Sequence, residues 1–204
     1  ALRSRSSRGT WGEVELARIL EASGMLPHVD FTEQRSIGTL TQGRGRGGVT
    51  SSGDLGRPDV TIHLPGQGFL ALDAKAPMDA YLRACAIDES GEDAESRRRA
   101  ELSAHAKALR SHVEALAGRD YARSLGASPE LVILFVPSEA ALSAALRTDA
   151  SLLDDAIARG IALCSPVTLL AVARTCATAW ARTSINEQAD QVIALGRELY
   201  ERLG

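Results

Sequence analysis

Two short segments carry residue types whose spacing suits chemistry: Arg57-Pro58-Asp59-Val60 and Leu72-Asp73-Ala74-Lys75. Read together they are a Pro-Asp, a gap, and an Asp-x-Lys. A magnesium-dependent phosphodiesterase needs this set, two carboxylates to hold the metal and a lysine to serve the attacking water. The pattern is short and recurs by chance. Its weight depends on whether the chain brings Asp59, Asp73 and Lys75 together in space.

The flanking residues argue that it does. From Asp59 to Leu64, Val60, Ile62 and Leu64 alternate with Asp59, Thr61 and His63. From Phe69 to Lys75, Leu70, Leu72 and Ala74 alternate with Phe69, Ala71, Asp73 and Lys75. Period two is the strand signature, and Pro65-Gly66-Gln67-Gly68 between the two runs is a turn cluster. If the apolar residues share one buried face, Val60 opposes Leu72 and Ile62 opposes Leu70. That register sets Asp59 opposite Asp73, with Lys75 one step further on the same face; a slip of one residue would send Asp59 to the apolar side. It also requires an odd-length turn, or a bulge. The alternative is a solvated strand face carrying ordinary charges, but two like charges directly opposed are unfavourable without a cation.

A third acid comes from the first helix. Trp11–Gly24 has an apolar arc of Leu16, Ala17, Ile19 and Leu20, and Glu13 falls inside it. A buried acid needs a partner. Thr10-Trp11-Gly12-Glu13 also fits a capping box with Thr10 as N-cap. Capping and catalysis do not exclude each other.

At 204 residues the chain can bury a core as one domain, and its 45% hydrophobic and 24% charged residues are ordinary for a globular protein. No apolar run spans a membrane and no signal peptide is visible. Cys85, Cys164 and Cys176 are scattered without zinc spacing, as expected of buried thiols in a reducing cytoplasm. The coarse order is helix (Trp11–Gly24), strands (Phe31–Ile37, Asp59–Leu64, Phe69–Lys75), helix (Glu101–Ala117) and strand (Leu131–Val136). Helical stretches Glu139–Leu146 and Ser151–Arg159, a strand Ile161–Cys164, and helices Val167–Arg182 and Ile185–Arg202 follow. Thr39–Gly56, rich in Gly and Ser, and the charged run Asp88–Arg99 read as mobile.

A net charge of −3 and a pI near 5.9 do not announce a nucleic-acid binder, so local patches must carry the electrostatics. Candidates are Arg3, Arg5, Arg8, Arg44, Arg46, Arg57 and Arg97–Arg99, with Lys107 and Arg110 off the apolar stripe of their helix and able to reach phosphate. Aromatics are 4% of residues, so no stacking platform is evident, and Trp11 and Trp180 read as packing residues. On the helix Glu101–Ala117 the stripe is Leu102, His105, Ala106, Leu109, His112, Val113 and Leu116. Its two histidines are two turns apart, about 10 Å, too far to share a metal, and read as core histidines bonded to backbone.

As an ordered set the motifs resemble the RmuC family of bacterial DNA recombination proteins. They are Arg8-Gly9-Thr10-Trp11-Gly12-Glu13, Arg57-Pro58-Asp59-Val60, Asp73-Ala74-Lys75-Ala76-Pro77 with Ala80-Tyr81, and His112-Val113 with Tyr121. Phe135-Val136-Pro137-Ser138-Glu139, Ser165-Pro166-Val167-Thr168-Leu169, Trp180 and Glu198-Leu199-Tyr200 continue it to the C-terminus. That family is similar to the PD-(D/E)xK nuclease superfamily, and the resemblance implies an α/β fold with a restriction-endonuclease-like core at about 9–137 and a C-terminal helical extension at about 138–204. It implies Asp59, Asp73 and Lys75 as catalytic, with Glu13 as the first-helix acid. It implies Mg²⁺ or Mn²⁺ on Asp59, Asp73, the Ala74 carbonyl and Glu13, and accessory roles for Gln34 and His112. It further implies DNA as partner, a role in limiting rearrangements at inverted repeats, a cytoplasmic domain without membrane contact, and a longer parent chain with an N-terminal anchor or coiled coil. A non-catalytic DNA-structure-binding or assembly domain is the alternative, and a phosphodiesterase acting on RNA or another nucleotide is a third. Self-association through the C-terminal helices stays open.

Overall fold

Apolar residues at period two build a five-stranded mixed sheet whose faces are covered by different helices. The computed structural model of the chain describes residues 5–31, 58–74, 76–91, 93–119, 121 and 128–203, without the side chains of 5–11, 13, 187, 196, 199–201 and 203. The strands are β1 (Val29–Phe31), β2 (Val60–His63), β3 (Phe69–Asp73), β4 (Leu131–Phe135) and β5 (Ile161–Cys164), adjacent in that order. β1, β2 and β3 pair antiparallel, while β3, β4 and β5 pair parallel. The helices are α1 (Arg5–Ser23), α2 (Asp79–Cys85), α3 (Ala94–Ala117), α4 (Glu139–Thr148), α5 (Leu152–Ala158) and α6 (Pro166–Leu203). α2 and α3 make the crossover from β3 to β4, and α4 and α5 the one from β4 to β5, as parallel pairing requires.

Strand alternation sorts the core into two halves. Val60, Ile62, Leu70, Leu72, Ile133 and Phe135 pack with Leu16, Ile19 and Leu20 of α1 and Leu169, Ala173 and Cys176 of α6. On the other face Leu134, Val136 and Ile161 pack with Ala106, Leu109, Val113 and Leu116 of α3 and with α4 and α5. β3 is buried on both faces, so the face carrying Asp73 is covered by protein rather than solvated.

The β2–β3 register is the expected one. Val60 pairs with Leu72 and Ile62 with Leu70. The connection, residues 64–68, is of odd length and closes with the Leu64 amide donating to the Gly68 carbonyl at 2.8 Å. Gly66 turns the chain at φ +81°, where a side chain would be strained.

Several expectations are corrected. Cys85, at the end of α2, is exposed, while Cys164 and Cys176 are buried as expected. α1 begins at Arg5, so Thr10 lies within the helix and is not its N-cap. The strand after α1 begins at Val29, and residues 32–37 lie outside the described residues, as does Thr39–Gly56. α2, after Pro77, was not anticipated; it is short and buries only Ala80 and Ala84. α3 starts at Ala94, so Glu95–Arg99, expected to be mobile, form its first turns. Buried Ala94 and pairs of Glu95 with Arg98 and Arg99 support them at helical spacing. The two C-terminal helices are one, because Thr183-Ser184 contains no Gly or Pro to break it. α6 is therefore 38 residues, about 57 Å long. Trp180 packs as expected, stacked on His28 at 4.1 Å with its indole donating to the His63 carbonyl at 2.9 Å. Beyond that contact Ile185, Val192 and Leu195 are 64%, 68% and 65% exposed. None of the described helices is long and apolar enough to cross a membrane.

Arg110 was a candidate for phosphate. In the fold it ties α3 to the α4–α5 turn: Nε and Nη2 donate to the two carboxylate oxygens of Asp149 at 2.7 and 2.8 Å, and the guanidinium also bonds Asp155 and Ser151. The Arg110 bonds hold the Asp149 carboxyl below its usual range. A carboxylate depressed in the folded state adds stability above its unfolded pKa, and that stability is lost as pH falls through the folded value. Arg110→Gln should lower the thermal midpoint at pH 7 by about 1–3 °C, and the gap should close as pH drops below about 4. Calorimetry from pH 7 to 3 checks this; a gap that persists in acid would assign the effect to packing.

Candidate active site

Asp73 is the last residue of β3, and Asp59 immediately precedes β2. Because these strands run antiparallel in the observed register, the start of one lies beside the end of the other. The Ala74 amide donates to Asp59 Oδ2 at 2.8 Å, which pins the first carboxylate to the segment carrying the second. α1 passes the same end of the sheet: a Cβ at Gly12 would lie 3.6 Å from the Ala74 carbonyl oxygen. The backbone of the neighbouring Glu13 is thus close to that carbonyl, while its side chain lies outside the described residues.

Asp73 is 2% exposed. Its carboxylate is gripped from the last turns of α3 and the residue beyond them. His112 Nε2 lies 3.1 Å from Oδ1, and Arg119 Nη1 donates to Oδ2 at 2.6 Å. The stripe expected on α3 therefore splits its histidines. His105 is fully buried, with Nδ1 3.2 Å from the Pro77 carbonyl and Nε2 3.1 Å from that of Ala141, the structural role anticipated. His112 turns to a carboxylate rather than to backbone.

Tyr121 is buried beside Arg119. Burial pushes its phenol above the usual range; the Arg119 hydrogen bond pulls the other way, and the charges of Asp73 and Asp59 add to the rise. Burial works against the Arg119 charge, but Tyr121 and Asp73 outweigh it and hold the guanidinium above its usual range. Asp59, Asp73, His112, Arg119 and Tyr121 thus form one polar group where β2, β3 and the end of α3 meet, with Asp73 and Tyr121 buried and the other three partly exposed.

The sequence reading missed Arg119 as a site residue and had Tyr121 only as a motif position. One signal was available. Arg119 is seven residues, two helical turns, beyond His112 and directly follows Gly118, which ends α3. Lys75, Gln34, Arg3, Arg44, Arg46 and Arg57 lie outside the described residues, and the side chains of Arg5, Arg8 and Trp11 are not described. Lys107 is exposed on α3, and Arg98 and Arg99 are paired with acids.

The donor set suits a hard cation. Two carboxylates and a backbone carbonyl are oxygen donors, and Mg²⁺ is commonly held by one or two carboxylates with water completing its shell. Among the described residues no three His, Cys, Asp or Glu side chains converge on a metal position; Glu13, the acid expected to join them, is not among those described.

Comparison with known proteins now decides the family. The RmuC family model matches residues 1–204. The chain belongs to the RmuC family. It is 36% identical over 198 residues to the DNA recombination protein RmuC homolog of Zymomonas mobilis, covering 97% of this chain and 40% of that protein. The homolog from Pseudomonas aeruginosa is 34% identical over 203 residues, 99% of this chain and 41% of that one. DNA recombination protein RmuC of Salmonella typhimurium is 32% identical over 198 residues, 97% and 38% respectively. The chain thus spans about two fifths of the length of the RmuC proteins it matches. No solved structure matches it.

Both Tyr81 and Tyr121 are held above the usual tyrosine range, each chiefly by burial. A raised phenol contributes stability below its unfolded pKa, near 10, that is lost as pH rises through the folded value. In an alkaline titration followed at 295 nm, two of the three tyrosines should ionise late, with the onset of unfolding. Tyr121→Phe should remove about half of that late amplitude; an unchanged late phase would place Tyr121 in solvent.

Proposed function

We propose that this RmuC domain is a metal-dependent deoxyribonuclease of the PD-(D/E)xK kind, acting in DNA recombination. The observation that carries the reading is the β2–β3 register with the Ala74–Asp59 bond, which brings two acids of a Pro-Asp…Asp-x-Lys motif to one end of the sheet. The order helix, three antiparallel strands, helical crossover, parallel strand supports it, as do relatives named DNA recombination protein.

Asp59, Asp73 and the Ala74 carbonyl, with Glu13, would hold Mg²⁺ or Mn²⁺. A bound divalent ion supplies Lewis acidity toward a phosphoryl oxygen and a lower pKa for water. The chain's own residues do the rest. Lys75, two residues beyond Asp73 in sequence and outside the described residues, would orient the attacking water or offset charge developing on phosphate. His112 keeps the Asp73 carboxylate in place. Water oxygen adds to phosphorus, the bond to one ester oxygen breaks, a proton leaves the water and another reaches the departing oxygen.

One observation favours a second reading, a domain that binds DNA structures or assembles without cutting. Asp73 already has two partners in the folded chain, as a purely structural buried acid would. Cleavage assays with Mg²⁺ and with Mn²⁺ on duplex, single-stranded and forked DNA and on RNA separate the readings. The nuclease should cut DNA, and Asp73→Asn should slow cutting about 100-fold or more while DNA binding, followed by anisotropy, changes little. Binding without cutting by either protein supports the second reading, and cutting confined to RNA would move the substrate class.

A further inference from the structure

The Asp73–Arg119 pair is out of place in a site built to hold a cation. A nearly buried carboxylate must be neutralised, and here the neutralising charge comes from just beyond α3, through Arg119 Nη1 at 2.6 Å. An arginine cannot relinquish its charge by losing a proton. A divalent ion on Asp59 and Asp73 would stand within a few ångströms of that guanidinium and repel it. Arg119 is built to yield. It follows Gly118, the residue that ends α3, and its amide is bonded to the Leu116 carbonyl at 3.1 Å, so the backbone is anchored while a long side chain can swing. Its side chain is 27% exposed, so part of it already borders solvent.

We propose that Arg119 is a positioning residue. It holds Asp73 as an internal counter-ion while no cation is bound, and gives it up when a divalent ion takes Asp59 and Asp73. The released guanidinium is a planar fork that matches a phosphodiester. Cation and nucleic-acid phosphate thereby bind cooperatively. The inference rests on the metal-dependent reading above, and the experiment separates the failure of one from the failure of the other.

The experiment is calorimetric titration with Mn²⁺ alone, together with thermal unfolding in EDTA and in Mn²⁺, on the folded chain and on Arg119→Gln, Arg119→Lys, Asp73→Asn and the Arg119→Gln/Asp73→Asn pair. Arg119→Gln should bind Mn²⁺ roughly 5- to 100-fold more tightly. Its midpoint in EDTA should fall by on the order of 10 °C, and Mn²⁺ should restore it. Arg119→Lys should resemble the unaltered chain, and the double substitution should regain the EDTA midpoint, because neither charge is then left alone. Asp73-dependent Mn²⁺ binding that Arg119→Gln does not tighten overturns the inference. So does a midpoint that neither Mn²⁺ nor Asp73→Asn recovers, which would make Arg119 a packing residue. Absence of any Asp73-dependent Mn²⁺ binding overturns the metal reading and this inference with it.

Discussion

The antiparallel register of β2 on β3 is the constraint on which the site depends. Pairing Val60 with Leu72 and Ile62 with Leu70 puts four apolar side chains into the layer shared with α1 and α6. The same pairing commits Asp59, Thr61, Ala71 and Asp73 to the opposite face. Strand geometry allows no partial slip, since moving one residue inverts every side chain. Burying the aliphatic set, worth about 1.5–3 kcal/mol for each large side chain, therefore holds two acids side by side at no separate cost in specificity. The five-residue connection and the Ala74–Asp59 bond complete that lock.

Juxtaposing acids creates a problem that the second helical layer answers. α3 covers the Asp73 face, removes the carboxylate from water, and then supplies His112 and Arg119 to it. Burial and charge compensation come from one helix and the residue just past its C-cap, so the polar group depends on the packing of Leu109, Val113 and Leu116. A core of this kind couples the fold to the site: the apolar stripe of α3 sets the height and angle at which its polar edge meets the strands. Away from the site the same helix is fastened by Arg110 to Asp149 and Asp155, so a basic residue facing outward from the stripe serves the fold.

Sequence alone determined what is local and periodic. The alternation at 59–64 and 69–75 dictated two strands, their register and an odd turn, because hydrophobic burial admits one pairing. The apolar stripes placed the main helices and the strand Ile161–Cys164 with its observed bounds. The ordered motifs also pointed to the family that comparison then established. Boundaries were less legible where the deciding contact is distant: α3 extends back to Ala94 because that residue is buried against the rest of the chain, and α2 is held by two alanines in a seven-residue stretch. Thr10 carried a capping signal, but the helix ran on through it to Arg5.

Only the tertiary structure decided which charges meet. Arg110 and Arg119 are both arginines on or just beyond one helix, and nothing in their neighbours in sequence says that one would clamp a surface turn and the other a buried aspartate. His105 and His112 share a stripe, yet one is fixed between two backbone carbonyls and the other turns to Asp73. The physical reason is the same in each case. Periodicity specifies which face of an element is apolar, but the partner of a polar side chain is set by the rotation and crossing of packed helices on a sheet. Those depend on contacts between residues tens of positions apart.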